Sequence, residues 1–378
     1  MKIIDMHCDT IHKIWKNSVA GDKKNLDNDD YMLSISKMKN GGYVLQNFAM
    51  FVEAYDDKKD SSLADNVSYA RASADNREEG DVSEGKGTKA FDERIDCFRR
   101  FEDLYGEFCN QMNVLSDEIS MVTNVSKIYE NEKSGRLSAL LTVEGGEACQ
   151  GDIQKLRTLY DRGVRMMTLT WNYINELGHP NIDIRRLSAP DFSPYIPDVK
   201  HGLTETGIEF VKAMDEMGMI VDVSHLSDAG FYDVLNNTSK PFVASHSNAR
   251  TICPIVRNIS DDMIKKLGER GGVTGLNYCR DFLFSPEEIK ESGKVSENTL
   301  DITCDKIAEH AKYIANVGGV GVLGLGSDFD GIPVYGGMPE ADKMDHLAHA
   351  LNKAGFDYDR IDDIFYRNVL RVYEEVLG

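Results

Sequence analysis

Six residues with metal-binding or acid–base side chains occur where apolar runs of the sequence end. They are His7, Asp9, Glu144, His225, His246 and Asp328. Three imidazoles and three carboxylates form a donor set that suits two divalent metal ions, and without metal the carboxylates would repel one another. Such a pair of ions lowers the pKa of a bridging water to near neutrality, and the hydroxide attacks a carbonyl or phosphoryl centre. The set therefore predicts a metal-dependent hydrolase.

Two of these carboxylates have distinguishable predicted roles. Glu144 lies beside glycines in LLTVEGGE and offers two oxygens, so it is suited to bridge the two ions. Asp328, in GLGSDFDG, is the carboxylate least needed for charge balance, and we expect it to take the proton of the water and pass it to the leaving group. The SDFDG motif is also typical of a turn, in which Asp and Gly supply the φ angles. Either interpretation fits that motif taken alone.

The other motifs also have structural interpretations when each is considered alone. VDVSH and FVASH, which end in His225 and His246, are both typical of a polar residue that terminates a buried strand. The His-x-Asp pair of His7 and Asp9 is a weak signal as well. The coincidence of four such motifs at one end of a fold is what favours a metal site.

Eight short, apolar, β-rich runs alternate with helix-period segments and must position these residues. The runs are residues 2–8, 43–52, 137–143, 164–170, 219–225, 241–246, 272–278 and 320–327. Amphipathic helices are predicted between several of them, for example at 204–217, and a last helix at about 358–377. This alternation predicts a (β/α)8 TIM barrel of the metal-dependent hydrolase type, whose strand ends converge on one face. A doubly wound sheet would usually show a Gly-rich loop where this chain has HCDT.

The chain is predicted to form a single domain, 1–378, with a polar surface insertion at about 55–89. That insertion is charged and nearly free of large apolar side chains. A second excursion, at about 173–201, follows the fourth run. Because loops after barrel strands build the active face, we expect it to form a wall of the substrate site.

Composition excludes several classes of partner. The formal net charge is −20 and there is no basic stripe, so we expect no nucleic-acid binding. No apolar run approaches the roughly 20 residues needed to cross a bilayer, and no signal peptide is visible. Seven scattered cysteines without CxxC spacing predict buried thiols in a cytoplasmic protein. Whether the chain forms a homodimer is left open.

Together, the motifs resemble the membrane (renal) dipeptidase family of zinc dipeptidases, which belong to the amidohydrolase-like metal-dependent barrels. The similarity covers nearly the whole chain apart from the insertion, and IDMHCDT, LLTVEGGE, RMMTLTWN, VDVSH, ASHSNAR and GLGSDFDG carry it. The resemblance implies two zinc ions, although His and carboxylate ligands also suit other divalent metals. The implied ligands are His7, Asp9 and bridging Glu144 for one ion, and Glu144, His225 and His246 for the other.

The resemblance also assigns residues to the substrate. It implies that Asp328 is the catalytic acid/base and that Arg257 binds the terminal carboxylate of a dipeptide, a task that suits its charge and fork geometry. Asn172 and Tyr278 are further predicted substrate contacts.

Two positions depart from the family pattern. Trp171 stands where animal members carry a histidine thought to support the tetrahedral intermediate, and Asn172 or His179 is a candidate to replace it. Glu147 stands in place of the usual histidine after EGG, and its negative charge is expected to alter the preference for the amino end of the substrate.

We therefore expect a zinc-dependent dipeptidase that works by attack of a bridging hydroxide, with tolerance of a C-terminal D-residue implied by the resemblance. One alternative is another binuclear-metal barrel hydrolase, namely a lactonase, a deaminase or a phosphotriesterase. A second alternative is a non-enzymatic binding or scaffold protein descended from such a barrel. That alternative predicts missing ligands, whereas all six are present.

Overall fold

In the computed structural model, the described residues are 1–55, 94–187, 189–291 and 299–378, and within them nine parallel strands form one sheet. In chain order they are β1 (Ile3–Asp5), β2 (Tyr43–Phe51), β3 (Ile119–Val122), β4 (Leu137–Glu144), β5 (Met166–Thr168), β6 (Ile220–Asp222), β7 (Val243–Ala244), β8 (Val273–Leu276) and β9 (Leu323–Leu325). β1 pairs with both β2 and β9, and β2 pairs with β4, so the eight strands other than β3 close into a barrel.

This closed barrel confirms the predicted (β/α)8 fold, and each of the eight predicted runs overlaps one barrel strand. The runs are nearly continuous in apolar residues because strands of a parallel barrel are buried on both faces. β3 was not predicted. It pairs with Leu137–Leu140, the first half of β4. β5 pairs with the same edge of β4 further along, at Thr142–Glu144. The predicted insertion at 55–89 lies outside the described residues, except for Tyr55.

Helices surround the strands. They are α1 (Thr10–Val19), α2 (Ile35–Gly41), α3 (Cys97–Val114), α4 (Val125–Ser134), α5 (Ile153–Asp161), α6 (Glu205–Met217), α7 (Asp228–Asn237), α8 (Asp261–Glu269), α9 (Arg280–Leu283), α10 (Pro286–Glu291), α11 (Thr299–Gly318), α12 (Met344–Lys353), α13 (Tyr358–Asp362) and α14 (Asn368–Leu377). A π-helical turn joins α13 to α14, so the predicted last helix is present. α6 begins after Thr204, whose side chain accepts a hydrogen bond from the Gly207 N–H, and ends at Gly218 in a left-handed conformation.

The interior of the barrel is a packed apolar core that supports the strand ends from below. Residues from six strands pack there against α14, namely Leu45, Leu140, Met166, Ile220, Val243 and Val273 with Val369 and Tyr373. Burying each such side chain stabilises the fold by roughly 1.5–3 kcal/mol. The polar residues at the carboxyl ends of the strands are therefore held in place by a well-packed core.

In the part of the chain that the structure describes, no helix combines the length and the apolar character that a membrane span requires. All seven cysteines belong to that part, and six of them are buried and none is in a disulfide.

Candidate metal centre

The six predicted donors meet at the carboxyl end of the barrel. His7 and Asp9 follow β1, Glu144 ends β4, and the others follow β6, β7 and β9. Each of the six side chains belongs to a residue that is at most 7% exposed. The convergence of barrel strands thus brings together residues that are far apart in the sequence.

Glu144 stands between two groups of donors. Its Oε2 lies 3.5 Å from His7 Nε2, and that nitrogen lies 3.4 Å from Asp9 Oδ2 and 3.8 Å from Asp328 Oδ1. Its other oxygen, Oε1, lies 2.9 Å from His225 Nε2 and 3.4 Å from His246 Nε2. One carboxylate therefore faces both groups, which is the arrangement that the sequence predicted for a bridging residue.

Hydrogen bonds fix the proton positions on the two histidines beside Glu144 Oε1. The Asn172 side-chain oxygen lies 2.8 Å from His225 Nδ1, and because an amide oxygen only accepts, Nδ1 carries the proton. Ser245 Oγ lies 2.7 Å from His246 Nδ1 and donates its own proton to Asp222 over 2.6 Å, so this Nδ1 is a donor as well. Both Nε2 atoms are left with bare lone pairs.

These two lone pairs lie close to a third acceptor, Oε1 of Glu144. The two Nε2 atoms are only 3.0 Å apart, and both face the carboxylate oxygen of Glu144. Three acceptors at such distances repel one another unless a cation or a donor lies between them. On the other side, both ring nitrogens of His7 and Oδ1 of Asp9 are buried without a hydrogen-bond partner among the described residues. The donor set therefore fits metal ions on both sides of Glu144.

The pKa shifts at the centre agree with this donor set. Burial lowers the pKa of His225 and His246 well below the ordinary value, so both rings are neutral, as metal ligands must be. Burial alone would lower the pKa of His7, but the charges of Glu144 and Asp9 outweigh it and raise the pKa well above the ordinary value. Burial raises the pKa of Glu144. The carboxylates thus create a field that favours a positive charge beside them.

Backbone conformation at two of the donors is unusual. His225 and Asp328 have φ angles of 70° and 64°, in the left-handed region that costs a non-glycine residue of order 1–3 kcal/mol. A hydrogen bond from the Asn181 N–H to the His225 carbonyl (3.0 Å) and one from the Asp328 N–H to the His7 carbonyl (3.2 Å) hold these conformations. Strain maintained in this way is typical of functional sites.

The two aspartates of SDFDG have different hydrogen-bond partners. Asn277 Nδ2 donates to Asp328 Oδ2 over 3.0 Å, which leaves Oδ1 directed at His7. Burial raises the pKa of Asp328, so this carboxylate is suited to hold a proton. Asp330 instead accepts hydrogen bonds from Thr10 and Lys13 (both 2.8 Å) and joins the loop to α1. Both aspartates have φ angles of 64°, as the turn interpretation expects, and the catalytic role of Asp328 stays a prediction.

The loop after β9 can approach Asp9 closely because residue 331 is a glycine. A Cβ atom at Gly331 would lie 2.0 Å from Asp9 Oδ2 and 2.7 Å from Asp328 Oδ1. Any larger residue there would push apart the two carboxylates beside His7.

Arg257 lies beside the centre and is 2% exposed. Its guanidinium donates to Ser247 Oγ (3.3 Å) and the His246 carbonyl (3.4 Å), and it lies 5.1 Å from the centre of the Phe282 ring. Its hydrogen bond to the His246 carbonyl places its charge close to the donors, and that charge adds to the effect of burial in lowering the pKa of His225 and of His246.

Asn172 and Tyr278, which were predicted to contact the substrate, are buried against other protein groups. Asn172 is 1% exposed, and its carbonyl oxygen is occupied by the His225 ring. The Tyr278 side chain is fully buried, with its hydroxyl 3.9 Å from Met344 Sδ and its ring against Phe329. The preceding residue, Asn277, is the one that reaches Asp328, because successive side chains point to opposite sides of an extended chain.

A family model for the membrane dipeptidases, peptidase family M19, matches residues 1–377. The chain belongs to the membrane dipeptidase family. It is therefore a metal-dependent dipeptidase, a hydrolase, as the sequence predicted.

Relatives from other organisms and a solved structure are similar to this chain. The dipeptidase is 31% identical to an uncharacterized protein of Klebsiella pneumoniae over 240 residues, which are 64% of this chain and 82% of that one. It is also 31% identical to an uncharacterized dipeptidase of Schizosaccharomyces pombe over 285 residues, 75% of this chain and 61% of that one. A metallopeptidase from Rhodobacter sphaeroides, crystallised with a phosphinate mimic of the dipeptide L-Ala-D-Ala, has the same fold, with a TM-score of 0.81 at 22% identity and coverage of 100% and 99% of the two chains.

This dipeptidase departs from the family pattern at Trp171 and Glu147. The Trp171 ring packs against Phe51, with 4.8 Å between ring centres, and lies 6.2 Å from the His225 ring. Glu147 is fully buried and accepts a hydrogen bond from Asn175 over 2.8 Å, and burial raises its pKa to about 7. Its carboxylate is thus held against the loop after β5 instead of facing solvent.

Three supporting residues were not predicted as parts of the site. Asp222 accepts hydrogen bonds from the hydroxyls of Thr168 and Ser245, both over 2.6 Å, and Ser245 in turn holds His246. Asn277 holds Asp328. Asp222 and Ser245 lie within VDVSH and FVASH, next to the predicted ligands, so the motifs already contained the signal. Asp5 accepts from the N–H groups of His7 and Ser327 (both 3.1 Å) and so supports the backbone of the first strand end.

Proposed function

We propose that this dipeptidase uses two zinc ions to hydrolyse the peptide bond of dipeptides, including those with a C-terminal D-residue. His7, Asp9 and Glu144 would hold one ion, and Glu144, His225 and His246 the other. The observation that carries this proposal is the pair of bare Nε2 lone pairs, 3.0 Å apart, that face one oxygen of Glu144. Nitrogen and carboxylate ligands of this kind suit zinc.

The bound ions would polarise the scissile carbonyl and lower the pKa of the attacking water. Residues of the protein orient the ligands and keep the centre away from bulk water. Asn172 and Ser245 fix the rings of His225 and His246, so the lone pairs are in place before substrate arrives. The buried position of all these groups keeps bulk water from weakening their electrostatic effect.

Asp328 is the proposed general acid/base. Its Oδ2 is held by Asn277, and its Oδ1 points towards the donors around His7. Because burial raises its pKa, it can take a proton from the attacking water and return it to the leaving amine without leaving its position.

Arg257 is the proposed partner of the substrate's terminal carboxylate. It is a buried guanidinium on the loop between β7 and α8, adjacent to the donors, and a carboxylate matches its two-pronged geometry. Recognition through this group would place the scissile bond next to a free carboxyl terminus. The tolerance of a D-residue rests on the family resemblance and on the L-Ala-D-Ala mimic bound by the Rhodobacter sphaeroides enzyme.

The experiment is a panel assay on zinc-replete protein with L,L and L,D dipeptides, a lactone, a purine or pyrimidine amine and a phosphotriester. We expect turnover of dipeptides, with L,D pairs accepted, and the double variant His225→Ala/His246→Ala should be inactive. His346→Ala, an exposed histidine on α12, is the matched control and should keep full activity. Faster turnover of the lactone, the amine or the phosphotriester than of any dipeptide would refute the proposal.

A further inference from the structure

A second group of metal-type donors lies in the excursion between β5 and α6. His179 near its start meets Asp198 and His201 near its end, and one ligand atom from each lies within 4.8 Å of the others. His201 Nδ1 is 2.9 Å from Asp198 Oδ2, and the rings of His179 and His201 lie 5.2 Å apart at 30°. None of the three is among the donors of the barrel centre.

The backbone holds these residues in place. The His179 N–H donates to the Gly202 carbonyl over 3.2 Å, which ties together the two ends of the excursion. Ser227, which caps α7, donates its N–H to the His179 carbonyl (2.9 Å) and its hydroxyl to the His201 carbonyl (2.7 Å). The side chains are therefore presented from a fixed frame, as a metal site requires.

The side chains themselves remain accessible. The His201 side chain is 62% exposed and that of Asp198 is 28% exposed. A cavity of about 360 Å³ adjoins the group, and the three residues form part of its lining together with Ile174, Phe192 and Ile196. An ion and a water ligand can reach this position from solvent without entering the barrel centre.

We propose that His179, Asp198 and His201 bind a divalent transition-metal ion of the zinc class, and we call this the loop site. Two imidazoles and one carboxylate are ligands that zinc accepts, with water in the remaining position, and nickel and copper bind imidazole as well. The three ligands come from both ends of one long loop, so a bound ion would close that loop. The loop site is separate from the barrel centre and does not depend on its chemistry.

A bound ion would also affect the predicted wall of the substrate site, which this loop forms. Between the ligands, Pro194 accepts a hydrogen bond from the Val256 N–H over 2.9 Å, and Ile182 packs with Val256 and Phe282. These contacts lie directly beside Arg257, which follows Val256 and stacks on Phe282. An ion at the loop site would therefore stabilise the part of the wall next to the proposed carboxylate-binding arginine.

The test counts metal ions in the intact protein. Wild-type protein and the variants His179→Ala and His201→Ala are incubated with zinc, passed through a desalting column and analysed by mass spectrometry for zinc per chain. We expect each variant to hold one ion fewer than wild type. His346→Ala is the matched control, because His346 also lies beside an aspartate, 3.1 Å from Asp301, and we expect its zinc content to equal that of wild type.

A second readout follows the loop itself. Trypsin cleavage after Arg186, within the loop, should slow at least threefold when zinc is added to wild type or to His346→Ala, and should not respond in His201→Ala. If His179→Ala fails to fold, the exposed His201 side chain still provides a decisive variant. Equal zinc content in wild type and His201→Ala, or equal protection by zinc, would overturn the proposal.

Discussion

Replacing Ser245 by alanine removes the hydroxyl that holds the His246 ring. In the wild type this hydroxyl accepts from His246 Nδ1 over 2.7 Å while it donates to Asp222 over 2.6 Å. Without it, the ring loses the partner that keeps the proton on Nδ1 and the lone pair on Nε2. We expect the zinc ion next to His246 to bind more weakly, although no proposed ligand has been changed.

The size of the effect follows from the position of Ser245. It is fully buried, so solvent does not readily replace the lost acceptor. Removing a residue that orients a ligand typically costs 10–100-fold in metal affinity, which corresponds to about 1.4–2.8 kcal/mol. At saturating zinc the rate should return to within a few-fold of wild type, because the substrate contacts are intact.

The assay is zinc competition with a chromophoric chelator, followed by dipeptide hydrolysis at increasing free zinc. Thr142→Val is the matched control, because it removes a buried hydroxyl that has no hydrogen-bond partner among the described residues. Its zinc affinity should equal that of wild type. An affinity of Ser245→Ala within twofold of wild type would refute the argument that Ser245 fixes the His246 ring.

Three further predictions concern proton transfer, substrate binding and stability. Asp328→Asn should lower kcat about 10²–10⁴-fold at unchanged zinc content, and a kcat within tenfold of wild type would exclude it as the acid/base. Arg257→Lys should raise KM for dipeptides about tenfold, or 1.4 kcal/mol, but should leave KM for dipeptide amides unchanged; an equal rise for both would contradict a carboxylate contact. Burial raises the pKa of Glu147 from 4.5 to about 7, so the folded state holds a proton that the unfolded state releases in this range, and the free energy of unfolding falls as pH rises. Glu147→Gln should therefore gain about 3 kcal/mol over wild type between pH 4.5 and pH 8, measured by urea unfolding, whereas a gain that does not change with pH would disprove this.

The barrel could be predicted because its strands are short, buried on both faces and separated by amphipathic helices. β3 could not, since its four residues include half-buried Ser120 and Met121 and give no continuous apolar run. It is stabilised by pairing with β4, a long-range contact that local sequence does not reveal.

The meeting of the six candidate donors could be predicted because strand ends converge in any barrel of this type. Their supports could not be assigned, because these depend on the register between neighbouring strands. Asp222 reaches Ser245 since β6 and β7 pair with Asp222 opposite Val243. A similar limit explains why Tyr278 was predicted to contact the substrate, whereas it is Asn277 that reaches Asp328. The sequence does not show which of two successive residues faces the centre once β8 has ended.

The most direct test of the binuclear dipeptidase centre is a zinc titration of metal-free protein that follows bound zinc and L-Ala-D-Ala hydrolysis together. The His201→Ala variant should be used, so that the loop site does not contribute to the count. We predict no hydrolysis without metal and full activity only when two ions are bound per chain. Full activity in the metal-free protein, or at one bound ion, would contradict the account.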